Sequence, residues 1–341
     1  MLTTDQSQPQ QVLRRCPELE TLDVARTRID VWAELNDALP LCPRLLRLNL
    51  SGQNIYHWNN PFDGLARCHA LTELRLADCE IETVAAQLGP ALMQCTALRL
   101  LDLRENNLSG DDPLALPVVT IISHILAGLM HHPSLEHLDL STCQLDLDCM
   151  HLLGAALPTW PRLEHLDLYD NDLHNFMLLP LVNALPLCPA MRHLRLRGNY
   201  ELKETAFHYL STLGAMAGLE SLDCSRCAIE CAYFTRNGAS FVAQLPQCPR
   251  LRVLNLAENK LGDTFVRNLA KRLPECASLE SLDLAETQIC DAGVRALAAG
   301  VRLCPWLVRL SVRGNVCSAE TRQEMQDAWS ATHETTRGLE V

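Results

Sequence analysis

The 341-residue chain lacks several things that would have given it an easy reading. No stretch approaches the ~20 consecutive apolar residues a membrane-spanning helix needs, so no membrane partner is expected. The most apolar segment, Leu114 to Met130, is interrupted by Pro117, Ser123 and His124 and reads as a buried helix. The opening residues, MLTTDQSQPQQVLRR, contain no apolar run, so no secretory leader is expected there. Basic residues are in deficit: 29 Lys and Arg against 41 Asp and Glu leave a net charge of -12. A general affinity for phosphate backbones needs the opposite balance, which argues against a nucleic-acid partner. Signatures of catalysis are missing too. There is no Gly-rich phosphate loop, no GxSxG and no HExxH, so neither an enzyme nor a cofactor is expected.

What the chain does contain is repetition. Leu135-Glu136-His137-Leu138-Asp139-Leu140 returns as Leu163-Glu164-His165-Leu166-Asp167-Leu168, 28 residues later. With the first Leu as position 1, units begin at Leu19, Leu45, Leu71, Leu98, Leu135, Leu163, Met191, Leu219, Leu251, Leu279 and Leu307. Positions 1, 4, 6 and 11 are apolar or Cys throughout, with Glu201 the single exception. Such a pattern is the signature of a leucine-rich repeat.

Within a unit, positions 2 to 6 alternate as a half-buried strand does. The second half has helical spacing, seen in the stripes Val266, Leu269, Ala270, Leu273 and Val294, Leu297, Val301. Strand then helix, eleven times over, predicts an α/β solenoid with a parallel sheet on one side and helices on the other. Strands pack at ~4.8 Å and helices at 8–10 Å, so the stack is expected to curve into a horseshoe with a concave sheet. We expect residues 1–18 to form an N-terminal capping segment, 19–317 the repeat domain, and 318–341 a C-terminal capping helix and tail. The helix is expected from Ser318 to about Thr332. At the other end only Pro9 to Arg15 is available as a cap, and residues 1–8 and 333–341 are expected to fray.

Position 9 holds Asn106, Asn171, Asn199, Asn259 and Asn315 in some units and Cys79, Cys143, Cys227, Thr27, Thr287 or Gln53 in others. Asn/Cys alternation in 28-residue units resembles the ribonuclease-inhibitor-like class of leucine-rich repeat proteins, across roughly residues 16–317. Leu261-Gly262-Asp263 and Asp291-Ala292-Gly293 are also similar to that class, where the strand loop meets its helix. Short early units, and Asn at both 171 and 199, depart from it.

Sixteen cysteines would indicate disulfides in a small secreted domain. Here they follow the repeat. Besides position 9, they occupy a column three residues before position 1: Cys16, Cys42, Cys68, Cys95, Cys188, Cys248, Cys276 and Cys304. Reduced, buried thiols and a cytoplasmic protein are therefore expected. Cys224, Cys227 and Cys231 are spaced like part of a metal knuckle, but positions 6 and 9 point in different directions and no metal site is expected. Two units are longer than the rest. The first carries Gly110-Asp111-Asp112-Pro113 and the second Cys231 to Gly238, read as lengthened convex helices.

Positions 2, 3 and 5 face the concave side, and 7, 8 and 10 the adjoining rim. His137, His165 and His193 occupy position 3 in successive units, flanked by Asp139, Glu164 and Asp167. A straight column of imidazoles does not converge as tetrahedral zinc demands. It does make a polar patch whose charge changes near neutral pH. The unit of His193 also brings Arg195 and Arg197, followed by Tyr200, while Tyr169 and Asp170 stand on the rim of the unit before it. Tyr and Arg are enriched at interface hot spots, and an acidic strip beside a basic one suits an oriented partner.

These residues lead us to expect a non-enzymatic, monomeric module that binds another protein on its concave face, as an inhibitor or scaffold. The resemblance also implies relatives among bacterial effectors and intracellular regulators. A substrate-recognition arm of a ubiquitin-ligase-type assembly is the alternative, as is a Ran-type GTPase-activating protein. The latter places an Arg just before the position-9 Asn, whereas here Arg26 and Arg226 precede Thr27 and Cys227.

Overall fold

The computed structural model describes residues 13–27, 32–55, 61–110, 120–203, 206–212, 214, 216–231, 236–333 and 338–341. They form two compact units, residues 1–165 and 166–341. In the first, β1 (Thr21–Asp23), β2 (Arg47–Asn49), β3 (Glu73–Arg75), β4 (Leu100–Asp102) and β5 (His137–Asp139) pair in parallel, each with its successor. A further strand, β6, spans His165–Asp167. In the second unit, β7 (His193–Arg195), β8 (Ser221–Asp223), β9 (Val253–Asn255), β10 (Ser281–Asp283), β11 (Arg309–Ser311) and β12 (Leu339–Glu340) pair likewise.

Register aligns the position-4 leucines: Leu22, Leu48, Leu74, Leu101 and Leu138 in one unit, and Leu194, Leu222, Leu254, Leu282 and Leu310 in the other. From the second repeat on, these are buried, together with positions 1 and 6. Positions 3 and 5 stay at least partly open in most strands, so among the described residues each unit keeps one sheet face that no helix covers. Glu201 does not interrupt the core. It lies exposed in an ion pair with Lys203, and Leu202, fully buried, takes its place one residue later.

Three features of the strand exit recur. An Asp or Asn at position 5 accepts a hydrogen bond from the backbone N–H two residues on, as Asp23, Asn49, Asp102, Asp139, Asp167, Asp223, Asn255 and Asp283 all do. Such Asx turns end the strand. Position 8 is left-handed in every repeat, with φ from +53° to +81°, though only Gly52, Gly198 and Gly314 are glycines. Each of the others costs of order 1–3 kcal/mol, so something must hold it.

Position 9 holds it. Asn259 Oδ1 accepts from the N–H groups of Cys227 (3.1 Å) and Ile229 (3.0 Å), while its Nδ2 donates to Cys224 O and Leu256 O (both 2.9 Å). Asn106, Asn199 and Asn315 make the same four bonds in their repeats. The repeats that donate to them are centred on Cys79, Asn171, Cys227 and Thr287, and each has a second left-handed residue at position 10. Asn171 and Leu173 N–H donate to Asn199 as the Cys and Thr repeats donate to their Asn neighbours. Cys143 and Asn171, each followed by a left-handed residue, therefore stand in succession, and the alternation of repeats is interrupted there.

The cysteine column before position 1 is buried beyond Cys16, and its thiols donate to carbonyls such as Gly64 O, Ala184 O and Gly300 O. Burial raises these thiols, Cys68, Cys95 and Cys276 to about 12. Where the column lacks Cys, His132, Trp160 and Met216 fill the same corner.

Part of the apolar segment after Gly110 forms the helix Ile121–Leu129, while residues 111–119 lie outside the described residues. It touches the helix Ala85–Gln94 backbone to backbone. A Cβ on Gly128 would sit 2.0 Å from Gly89 O, and one on Gly89 2.1 Å from His124 O. The second long repeat continues into the helix Arg236–Gln244, with residues 232–235 outside the described residues.

At the C-terminus the helix Ala319–Ser330 starts at Ser318, whose Oγ accepts from Thr321 N–H. The expectation of a frayed tail is corrected for its last residues. Leu310 and Val312 N–H donate to Gly338 O and Glu340 O (2.8 and 2.7 Å), so the tail closes the sheet as β12. Its apolar Leu339 sits in register with Leu310. At the N-terminus, most of the segment expected as a cap lies outside the described residues, and Leu19, Leu22 and Val24 are half-exposed.

Candidate functional site

The residues singled out from the sequence fall into two groups, one in each unit. In the first unit, the His137 and His165 rings lie 3.8 Å apart between centroids, tilted by 33°, closer than the strand spacing alone requires. Glu136 at position 2 binds Arg99 (2.7 Å), the position-2 residue of the preceding repeat. Asp139 is tied to Ser141 through both its N–H and its hydroxyl. Beside it, burial pushes the Asp102 carboxyl up, and the negative charge of Asp139 raises it further. Glu164 is half-buried. Much of the acidic character here is thus already used, by turns and by neighbouring cations.

In the second unit, Arg195 lies between two aspartates. Its Nη1 donates to Asp167 Oδ2 (3.0 Å), its Nε is 3.8 Å from Asp223 Oδ2, and its guanidinium covers Tyr169 at 5.2 Å from the ring centroid. Arg197 reaches Ser225 Oγ (2.9 Å) and Glu258 Oε1 (3.1 Å), the latter two repeats away. Glu258 also binds Arg226 Nε (3.1 Å), and Arg226 covers Tyr200 at 5.7 Å. Tyr200 remains 43% exposed. Asp170 is the left-handed residue at position 8, so its backbone serves the turn. His193 lies half-exposed on β7.

Sequence reasoning missed Glu258, Ser225 and Arg226 as members of this cluster. Their link to Arg197 depends on how the rims of successive repeats stack, which spacing within one repeat does not reveal. Arg192–Glu220 (2.6 Å) and Arg252–Glu280 (2.8 Å), by contrast, are position-2 neighbours and follow from the register. Exposed pairs of this kind contribute about 0–1 kcal/mol each, so their effect is to fix side-chain geometry more than to stabilise.

Cys224, Cys227 and Cys231 are fully buried. Cys227 donates to Leu196 O, and burial pushes its thiol up to about 12, so it stays protonated and unreactive. Among the described residues no group of three or more His, Cys, Asp or Glu could hold a metal ion, and no helix is long and apolar enough to cross a membrane.

Comparison with known proteins agrees with this geometry. Family models described as Leucine Rich repeat match residues 247–264 and 275–298, and a related one, Leucine Rich Repeat, matches 97–118. Each unit thus contains residues that match a leucine-rich repeat model. Among solved structures, the fold is similar to that of an internalin (inlF) from Listeria monocytogenes. That match has 17% identity and a TM-score of 0.50, covering 94% of this chain and 88% of that one. It is also similar to TLR13 in a complex with ssRNA13, at 20% identity and a TM-score of 0.50, covering 85% of this chain and 39% of that one. No curated protein sequence matches. Leucine-rich repeat domains are generally protein-interaction modules.

Proposed function

We propose that the chain is a non-enzymatic module that binds a partner protein on the helix-free sheet face, as an inhibitor or scaffold. The observation that carries this reading is the Tyr169–Arg195 pair held between Asp167 and Asp223. Its side chains are fixed before any partner arrives yet remain accessible, so little rotamer entropy is lost on docking. Arg197, Tyr200, His193 and the rim residue Asp170 extend the surface in the second unit. His137, Asp139, Glu164 and His165 form a second contact group in the first. Because most of these charges are internally paired, the partner is recognised by shape and hydrogen bonds more than by long-range attraction.

The ribonuclease-inhibitor-like class remains our reading of the subtype, supported by the donor and acceptor repeats that alternate at position 9 from Asn171 to Asn315. Its buried thiols favour a reducing, cytoplasmic setting, and its net charge of -12 disfavours a nucleic-acid ligand. The test is affinity capture with the native chain beside a Tyr169→Ala, Arg195→Ala, Arg197→Ala variant. A partner lost with the variant supports the site; one retained equally by both overturns it.

A further inference from the structure

A groove of about 370 Å3 lies in the second unit, along the edge where β8 to β11 begin. It shares no residue with the cluster around Arg195. Pro249 and Val308 form apolar walls, and half-exposed Trp306 lies among them. Its carboxylates are both engaged: Glu220 accepts from Arg192 (2.6 Å) and Glu280 accepts from Arg252 at 2.9 and 2.8 Å. Two donors are not. Among the described residues, neither the Arg250 guanidinium nor the Trp306 indole N–H has a hydrogen-bond partner or ion pair. Both groups can only donate.

A groove with satisfied acceptors, open donors and apolar walls selects a ligand that brings acceptors and an apolar side chain. Its lining holds two arginines and two glutamates, and with Glu220 bound by Arg192 and Glu280 by Arg252 the charge of Arg250 is the one left without an ion pair among the described residues. A volume near 370 Å3 fits two or three residues of an extended peptide and is within the ordinary range of ligand clefts. We infer that this groove binds an acidic peptide segment of a partner protein. An Asp or Glu carboxylate of that segment pairs with Arg250 and accepts from Trp306 Nε1, and the adjoining aromatic or aliphatic side chain packs against Pro249 and Val308. The inference rests on the reading of the chain as a protein-interaction module, but it uses residues separate from the proposed docking cluster.

The experiment is an NMR titration of the full chain with acetyl-Gly-Asp-Phe-Gly-amide, reading the indole N–H resonances and assigning Trp306 by Trp306→Phe. The expected result is a saturable shift of the Trp306 indole at millimolar peptide. The Asn analogue should bind about five- to tenfold more weakly, because a charge-assisted pair is lost, and the Lys analogue should bind more weakly still. Arg250→Gln should abolish the preference for Asp over Asn while leaving the other indole resonances in place, which shows that the variant is folded. Equal binding of the Asp and Asn peptides, tighter binding of the Lys peptide, or no shift of the Trp306 resonance would overturn the inference. Capture by the Arg195 cluster should be unchanged in Arg250→Gln, so failure here leaves the proposed function standing.

Discussion

Replacing Asn259 by Ala removes a side chain that touches no solvent-facing group and yet joins two repeats. Five hydrogen bonds go: two accepted from Cys227 and Ile229 N–H, and three donated to Cys224, Leu256 and Ala257 carbonyls. Each such bond contributes about 0.5–1.5 kcal/mol net, and an orphaned buried partner costs about 1–3 kcal/mol. Allowing for partial rehydration of the vacated space, the loss comes to about 3–5 kcal/mol. That is a large share of the ~5–15 kcal/mol of a whole domain. The adjoining Cys227 makes weaker thiol bonds to Leu196 O and Ser225 O, so Cys227→Ala should lose only about 1–2 kcal/mol. Urea unfolding gives the totals. Amide hydrogen exchange at Cys227 and Ile229 localises the effect, because both N–H groups lose their acceptor in the Asn259 variant and keep it in the Cys227 variant. Equal stability losses in the two variants, or unchanged exchange at these amides in Asn259→Ala, would refute the reasoning that the Asn holds the left-handed turn.

Three further outcomes follow from the same structure. Gly128→Ala forces a Cβ to within 2.0 Å of Gly89 O, so the helices must part; thermal unfolding should show a loss of at least about 2–3 kcal/mol, and a change under about 0.5 kcal/mol would contradict the close approach. The Asp102 carboxyl is raised by burial and by Asp139, so its contribution is fully present below the unfolded value of about 4 and is lost as pH rises through the folded value. Asp102→Asn keeps the turn bond, as Asn49 and Asn255 show, and should stabilise at pH 7 by up to about 1 kcal/mol, an advantage that fades below about pH 4. A gain that grew on acidification would show the sign to be wrong. Deleting residues 338–341 removes β12 and its two backbone bonds to Leu310 and Val312, so the amides of those residues should exchange faster, while unchanged protection would mean the last strand contributes nothing.

The repeat was legible because burial imposes a strict rule at positions 1, 4 and 6, where one polar side chain would open a core shared by two neighbours. Position 2 pairing was legible for a related reason: residues 28 apart become strand neighbours, as Arg252 and Glu280 do. Position 5 was harder to read. Asp139 and Asp167 look like surface charge in the sequence, but each first closes the turn that ends its strand. The tail was misread because Leu339-Glu340 is too short to signal a strand, and only the open edge of β11 gives it a place. Glu258 escaped because its tie to Arg197 crosses two repeats along the rim. The groove beside Trp306 escaped because its residues come from the corners between repeats, which carry no motif.

The central claim is that a partner protein is held by the preformed Tyr and Arg cluster of the second unit. Calorimetric titration of the captured partner into the native chain and into the Tyr169→Ala, Arg195→Ala, Arg197→Ala variant tests it most directly. Loss of one or two hot-spot side chains corresponds to about 3 kcal/mol, so the account predicts a Kd at least about 100-fold weaker. Affinities within about twofold of each other, with the variant as stable as the native chain, would contradict it.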